Sequence, residues 1–103
     1  MKPNISKTEN IVLKKIENLF KIKIQRQFEL DGKFYDGKYK KYLLEIDGVA
    51  WHSKPEQILN DELKNIIAKK NNYKLIRIRI PTIKSINVCL LSKHKILSEM
   101  ANQ

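Results

Sequence analysis

The chain is poor in the residues that cross-link or punctuate a fold. Only one of its 103 residues is cysteine, so Cys89 can form neither an internal disulfide nor a cysteine-cluster metal site. That suits a reducing compartment, with Cys89 as a small buried apolar residue. Nothing approaches the ~20 consecutive apolar residues of a membrane span, and no apolar signal segment opens the chain. The expectation is a soluble, cytoplasmic protein with no membrane partner. Repeats, low-complexity tracts and linkers are missing, as are zinc-finger and helix-turn-helix patterns. The length suits one domain, residues 1–103, with a single core. Acidic residues are scarce: 11 Asp and Glu stand against 21 Lys and Arg, a net charge of +10. So basic a small surface attracts polyanions, and nucleic acid leads the partner list. Glycine occurs three times, always after aspartate (Asp31-Gly32, Asp36-Gly37, Asp47-Gly48). Such dipeptides favour tight turns, which gives each aspartate an ordinary explanation.

Ser6-Lys7-Thr8-Glu9 is a capping box, and Val12, Leu13, Ile16, Leu19 and Phe20 follow at helical spacing with Glu17 at the stripe's edge. From Ile22 the period is two, placing Ile22, Ile24, Phe28 and Leu30 on one strand face. Residues 41 to 47 alternate again, Tyr42, Leu44 and Ile46 against Leu43, Glu45 and Asp47. Ser53-Lys54-Pro55-Glu56 signals a second helix, with Ile58, Leu59, Leu63, Ile66 and Ile67 as its buried stripe and Asp61, Lys64 and Asn65 on another side. Tyr73 to Ile80 is a strand with Leu75, Arg77 and Arg79 opposite Ile76, Ile78 and Ile80, and a weakly signalled helix closes the chain. Helix, three-strand meander, helix, strand and helix make an α/β fold with a mixed sheet, the last strand parallel to the third.

Glu45 is the residue that no turn or cap explains: a carboxylate in the middle of an apolar strand, sharing a face with Asp47. Two like charges on a buried face repel and resist desolvation unless a cation, a cationic side chain or a bound substrate compensates. If a hairpin over Gly37–Tyr42 sets Asp36 opposite Leu43, Asp36 joins them. Three carboxylates then form an all-oxygen site suited to Mg²⁺ or Mn²⁺. A metal so placed activates water and stabilises the charge developing on a phosphodiester. His52, just past the strand, has the ordinary pKa near ~6.5 that suits proton transfer.

Taken jointly, Asp36…Glu45-Ile46-Asp47-Gly48…Trp51-His52…Asn60-Asp61…Lys64-Asn65…Ala68…Tyr73-Lys74-Leu75-Ile76-Arg77-Ile78 resembles the very-short-patch-repair-like branch of the PD-(D/E)xK nuclease superfamily, near small phage-borne homing endonucleases. The resemblance runs from about Ser6 to Ile80 and rests on order and spacing together. It implies a restriction-endonuclease-like core, Mg²⁺-dependent DNA cleavage and a site on the hairpin and the following helix. Asp36 matches the first metal-binding aspartate and Glu45 the second acidic position. Asp47 stands where the superfamily usually has lysine, a departure this branch shares, and His52 matches its proton-transferring histidine. Glu17 matches an acidic residue of the first helix. Asp61 matches one near the site, with orienting His52 and binding metal both open. Gly37 departs from the pattern, since a hydrophobic residue commonly follows the first aspartate.

The expectation is therefore a metal-dependent DNA endonuclease for homing, repair or restriction, in host cytoplasm if phage-encoded. Asp36, Glu45 and Asp47 are its metal ligands, and His52, Glu17 and Asp61 complete the catalytic set. Lys38, Lys40, Lys41, Lys64, Arg77 and Arg79 are the candidate DNA contacts, with a solvated lysine-rich surface as the ordinary alternative. Lys64 is also a candidate for the positive charge missing at Asp47. Double-strand cleavage needs a homodimer or successive nicks, and specificity comes from the core, dimerisation or a separate targeting partner. The rival is a non-catalytic nucleic-acid-binding module of the same fold. It gains nothing from carboxylates set in a basic surface, which repel phosphate unless a metal intervenes.

Overall fold

Residues 7–48 and 54–103 are described in the computed structural model of the chain. Helix α1 (Lys7–Phe20) leads into β1 (Gln25–Leu30), β2 (Lys33–Tyr39) and β3 (Tyr42–Asp47). Helix α2 (Pro55–Lys70) then crosses to β4 (Lys74–Arg79), and a 3-10 turn (Ile83–Ser85), α3 (Ile86–Ser92) and α4 (His94–Ala101) follow. The four strands form one sheet in the order β1-β2-β3-β4, antiparallel up to β3 and parallel between β3 and β4. This is the expected mixed α/β sheet, with the closing helix divided in two at Lys93. Among the described residues no helix is long and apolar enough to cross a membrane.

Alternation in β3 decides the layering. Tyr42, Leu44 and Ile46 face the main core, built with Val12, Leu13 and Ile16 of α1, Ile76, Ile78 and Ile80 around β4, and Leu97 and Met100 of α4. Leu43 faces the other way, into a smaller core with Tyr35 and Ala68 beneath α2. Helices thus cover both faces of β3, and its residues from Tyr42 to Ile46 are all buried. A carboxylate on this strand is dry by topology.

One turn takes its expected form and the next does not. Asp31 and Gly32, at φ 48° and 80°, make the two-residue β1–β2 turn, both in the left-handed region that Asp-Gly tolerates. The β2–β3 turn is Lys40-Lys41, between paired Tyr39 and Tyr42, so the hairpin is tighter than Gly37–Tyr42. Asp36-Gly37 lies inside β2 rather than in a turn. Lys38, not Asp36, stands opposite Leu43, a slip of two residues, and the paired register runs no further than Gly37 and Leu44.

The face expected for Ile22, Ile24, Phe28 and Leu30 is not continuous. Ile22 and Ile24 pack into the main core, whereas Phe28 and Leu30 pack beneath α2. Gln27 lies between them at φ 50°, which turns the strand over. In β2 the same change occurs at Asp36. Tyr35 faces the α2 side, but a Cβ on Gly37 would stand 2.7 Å from Ile24 Cγ2 and 3.4 Å from Leu13 Cδ2, on the α1 side. The absence of a side chain at Gly37 is therefore steric: Ile24 fills that volume.

Helix α2 corrects the sequence reading most strongly. Its apolar stripe faces outward: Ile58, Leu59, Leu63 and Ile66 are 50, 62, 39 and 59 % exposed. Ala68 is its one fully buried residue. The polar side, with Asp61, Lys64 and Asn65, faces the sheet, where Glu45 and Arg77 supply partners that hold it inward. Pro55 occupies the first turn as expected, and the backbone N–H of Lys54 reaches Gln57 Oε1 at 3.5 Å. Ser6 and Ser53, the expected caps, lie outside the described residues, as do Trp51 and His52.

Candidate active site

Glu45 lies at the centre of a polar layer between β3 and α2, only 6 % exposed. The Lys64 ammonium, one turn beyond Asp61 on the inner face of α2, forms an ion pair with Glu45 Oε1. Asp36 approaches from β2, and its Oδ2 accepts the Ile46 backbone N–H at 2.7 Å. The change of face at Asp36 allows this, because there a side chain takes the hydrogen bond that a regular ladder would give to a main-chain carbonyl. Burial, and then the neighbouring Asp36 carboxylate, push the Glu45 carboxyl up to about 8 against the opposing pull of Lys64. Tyr35 completes the wall. Its hydroxyl donates to the Lys64 carbonyl at 2.8 Å, and its ring lies 5.3 Å from the Lys64 ammonium. Burial and the Glu45 charge push that phenol up to about 12.

Asp47, two residues on, lies in a second polar group. Parallel pairing sets Arg77 beside Glu45 and Arg79 beside Asp47. Arg79 Nη2 lies 3.5 Å from Asp47 Oδ2, while burial and then the nearby Asp61 raise the Asp47 carboxyl. Arg77 ties β4 to α2, donating to Asn65 Oδ1 at 2.5 Å and to the Asp61 carbonyl at 3.0 Å, with Asp61 Oδ1 3.8 Å away. A cavity of about 160 Å³ opens between the helix and the strand, lined by Glu45, Asp47, Gln57, Asn60, Asp61 and Lys64. The carboxylates meet as two pairs, Asp36 with Glu45 and Asp47 with Asp61, rather than as one trio. Among the described residues no three of His, Cys, Asp and Glu gather closely enough to hold an ion.

No protein-family model matches the sequence, and no curated protein does. The structure is nevertheless similar to a solved one, the Homing Endonuclease I-Bth0305I Catalytic Domain, with a TM-score of 0.66 at 23 % identity over 88 % of this chain and 91 % of that one. The fold is that of a homing-endonuclease catalytic domain. It is the fold that the resemblance read from the sequence implies.

Within this endonuclease fold the two acidic residues of α1 have different surroundings. Glu17 lies towards the C-terminal end of the helix and locks the entry of β1. Its carboxylate accepts the Ile24 N–H at 2.7 Å and a two-pronged Arg26 guanidinium at 3.0 and 3.1 Å, and Arg26 holds it below the usual carboxylate range. Glu9, two turns earlier, is 6 % exposed and accepts from Gln27 Nε2 at 2.7 Å. The β1–β2 register, which pairs Arg26 with Gly37 and Phe28 with Tyr35, sets Gln27 level with Asp36. Gln27 Oε1 is buried without a hydrogen-bond partner. Glu9 and Gln27 are thus buried polar residues, with Gln27 level with Asp36 in the sheet, that sequence reasoning missed. A signal existed, since Glu9 shares the helical stripe of Val12, Leu13 and Ile16, where a capping role does not require burial.

The basic candidates of the endonuclease fold also divide. Lys38 lies 5.3 Å over the Phe28 ring and Lys41 4.5 Å over that of Tyr73, while Lys40 reaches the Gln103 carbonyl. These three belong to the hairpin and its turn. Arg79 is half exposed, at 53 % of its side chain, whereas the side chains of Lys64 and Arg77, 14 and 24 % exposed, point inward to carboxylate partners.

Proposed function

We propose that the protein is a metal-dependent DNA endonuclease that hydrolyses phosphodiester bonds at the layer between β3 and α2. One observation carries this reading. Glu45 is a dry carboxylate set against a second carboxylate, Asp36, so that its charge is disfavoured even with the Lys64 ammonium beside it. The donor chemistry fits Mg²⁺ or Mn²⁺, which Asp36 and Glu45 would hold through hard carboxylate oxygens. The metal, when bound, supplies a more acidic water and positive charge against the developing phosphorane.

The chain's own residues do the rest. The Ile46 N–H fixes Asp36, and β3 fixes Glu45, so the donors are held by backbone rather than by loops. Lys64 holds positive charge beside Glu45, a role Asp47 cannot take. Asp47 and Asp61, steadied by Arg79 and Arg77, line the cavity where water enters. His52, five residues past Asp47, is assigned the proton transfer. Glu9 with Gln27, in place of Glu17, is assigned the first-helix acidic position. Lys38, Lys40, Lys41 and Arg79 are assigned the phosphate contacts, with Lys64 and Arg77 kept for the interior.

The test is cleavage of supercoiled plasmid, and of a library of random targets, at low salt with Mg²⁺, Mn²⁺ or chelator, using wild type and Glu45→Ala. Metal-dependent cleavage lost in the variant, with DNA binding kept, supports the reading. The rival, a binding module without catalysis, draws on Lys64 already neutralising Glu45. DNA binding without cleavage of any library member and without metal uptake would establish it instead.

A further inference from the structure

The outward face of α2 has no use in the reading above. Ile58, Leu59, Leu63 and Ile66 lie on successive turns, all more than a third exposed, while the helix spends its polar side on the interior. Single exposed aliphatics are ordinary, but four adjacent ones on one helix leave roughly 400 Å² of contiguous apolar surface, the size of a typical monomer's largest patch, which is often a functional one. On a chain of net charge +10 this is also the part of the surface least suited to a polyanion.

We propose that this face pairs with the same face of a second copy, the two α2 helices antiparallel about a two-fold axis. Charge and area both point to a second copy. Along the exposed side, Glu56 lies in the first turn of the helix, Glu62 at its middle, and Lys69 and Lys70 at its end. Antiparallel packing sets Glu56 of one helix against the basic end of the other twice over and aligns the helix dipoles head to tail. A parallel arrangement sets like against like. A stable pair buries about 800 Å² per partner, somewhat over half of it apolar. The four aliphatic side chains supply most of that apolar share, and the stems of Lys69 and Lys70 extend it. Each copy keeps its Glu45 layer on the opposite side of its own helix, so pairing leaves both layers open. The proposal does not depend on the nuclease reading.

Sedimentation equilibrium of the whole chain, without DNA or metal, tests it by mass alone. Wild type is expected at twice 12.2 kDa at micromolar concentrations. Association should tighten as salt rises, because screening relieves repulsion between two strongly basic copies. Leu63→Glu places a charge in the apolar centre and should weaken the dimer roughly 100-fold, with the melting temperature of the monomer unchanged because Leu63 faces solvent. Glu56→Lys and Lys69→Glu/Lys70→Glu should each be monomeric alone and dimeric when mixed, since only the mixture matches acid with base. Wild type monomeric at every salt and concentration overturns the proposal. So does a mixture that fails to re-form the dimer, or a Leu63→Glu monomer that melts markedly below wild type diluted until it is monomeric, which would show the face packed within the chain.

Discussion

Replacing Glu45 by glutamine tests the site without any substrate. The carboxyl is pushed to about 8 in the fold, from an ordinary value of 4.5 in the unfolded chain. Between these values the native state holds a proton that the unfolded state has lost. With more protons bound in the native state, stability falls as pH rises, by about 1.4 kcal/mol per pH unit while the difference lasts. Glutamine keeps the shape and the neutral hydrogen-bonding character of the protonated acid but has no proton to lose. Allowing for hydration of the carboxylate from the cavity, the accumulated difference between pH 5 and pH 8 is on the order of 3 kcal/mol. In a domain of this size that corresponds to roughly 15 °C in melting temperature. The assay is thermal unfolding of wild type and Glu45→Gln in chelator across this range. Wild type should lose stability relative to the variant as pH rises. Mg²⁺ should restore wild type at the alkaline end, by favouring the ionised carboxylate, and leave the variant unmoved. A difference that stays flat from pH 5 to pH 8 would refute the reasoning, since Lys64 would then be holding Glu45 ionised throughout.

Other residues give independent tests. Gly37→Ala should cost about 1–3 kcal/mol, because its Cβ meets the stiff, β-branched Ile24 at 2.7 Å; Ile24→Ala in the same chain should recover part of that loss in a double-mutant cycle, and strict additivity would remove the steric account. Glu17→Gln should lower stability by about 1–2 kcal/mol at neutral pH through its weakened hold on Arg26 and Ile24. That deficit should shrink as pH falls through the depressed Glu17 pKa, while cleavage by the folded fraction stays unchanged; a selective loss of cleavage would return Glu17 to the site. Lys41→Ala should reduce the salt dependence of DNA binding by about one phosphate contact, whereas Lys64→Met should leave that slope alone and abolish cleavage. Salt titrations of binding distinguish the two.

Much of the site was legible because strands have a short, unforgiving period. Alternation over residues 41 to 47 places Glu45 and Asp47 on one face without any knowledge of neighbours, and an unexplained carboxylate there already indicates an uncompensated charge. The same argument gives β4 its division into Ile76, Ile78 and Ile80 against Leu75, Arg77 and Arg79, as observed. It fails at Gln27 and Asp36, where the backbone turns the strand over and neither residue type announces it. That local break carries Asp36 to the Ile46 N–H beside Glu45. The hairpin register was misread by two residues, and Asp36 reaches the Glu45 layer through that break rather than through the register.

Tertiary structure decided what periodicity leaves open. In α2 the apolar stripe was found correctly and its direction was not, since a helical pattern defines two faces without saying which is inside. Burial of the apolar face is the usual outcome when solvent is the only alternative for the polar one. Here the sheet offers Glu45 to Lys64, and Arg77 to Asp61 and Asn65, so the polar face is satisfied indoors and the apolar face is left outside. The two acids of α1 follow the same logic: Arg26 holds Glu17 at the entry to β1, and Gln27 receives Glu9 beside Asp36. The sequence determined which residues carry charge and which share an element's face. Which charges meet, and so which are compensated, depended on elements distant in the chain being brought together.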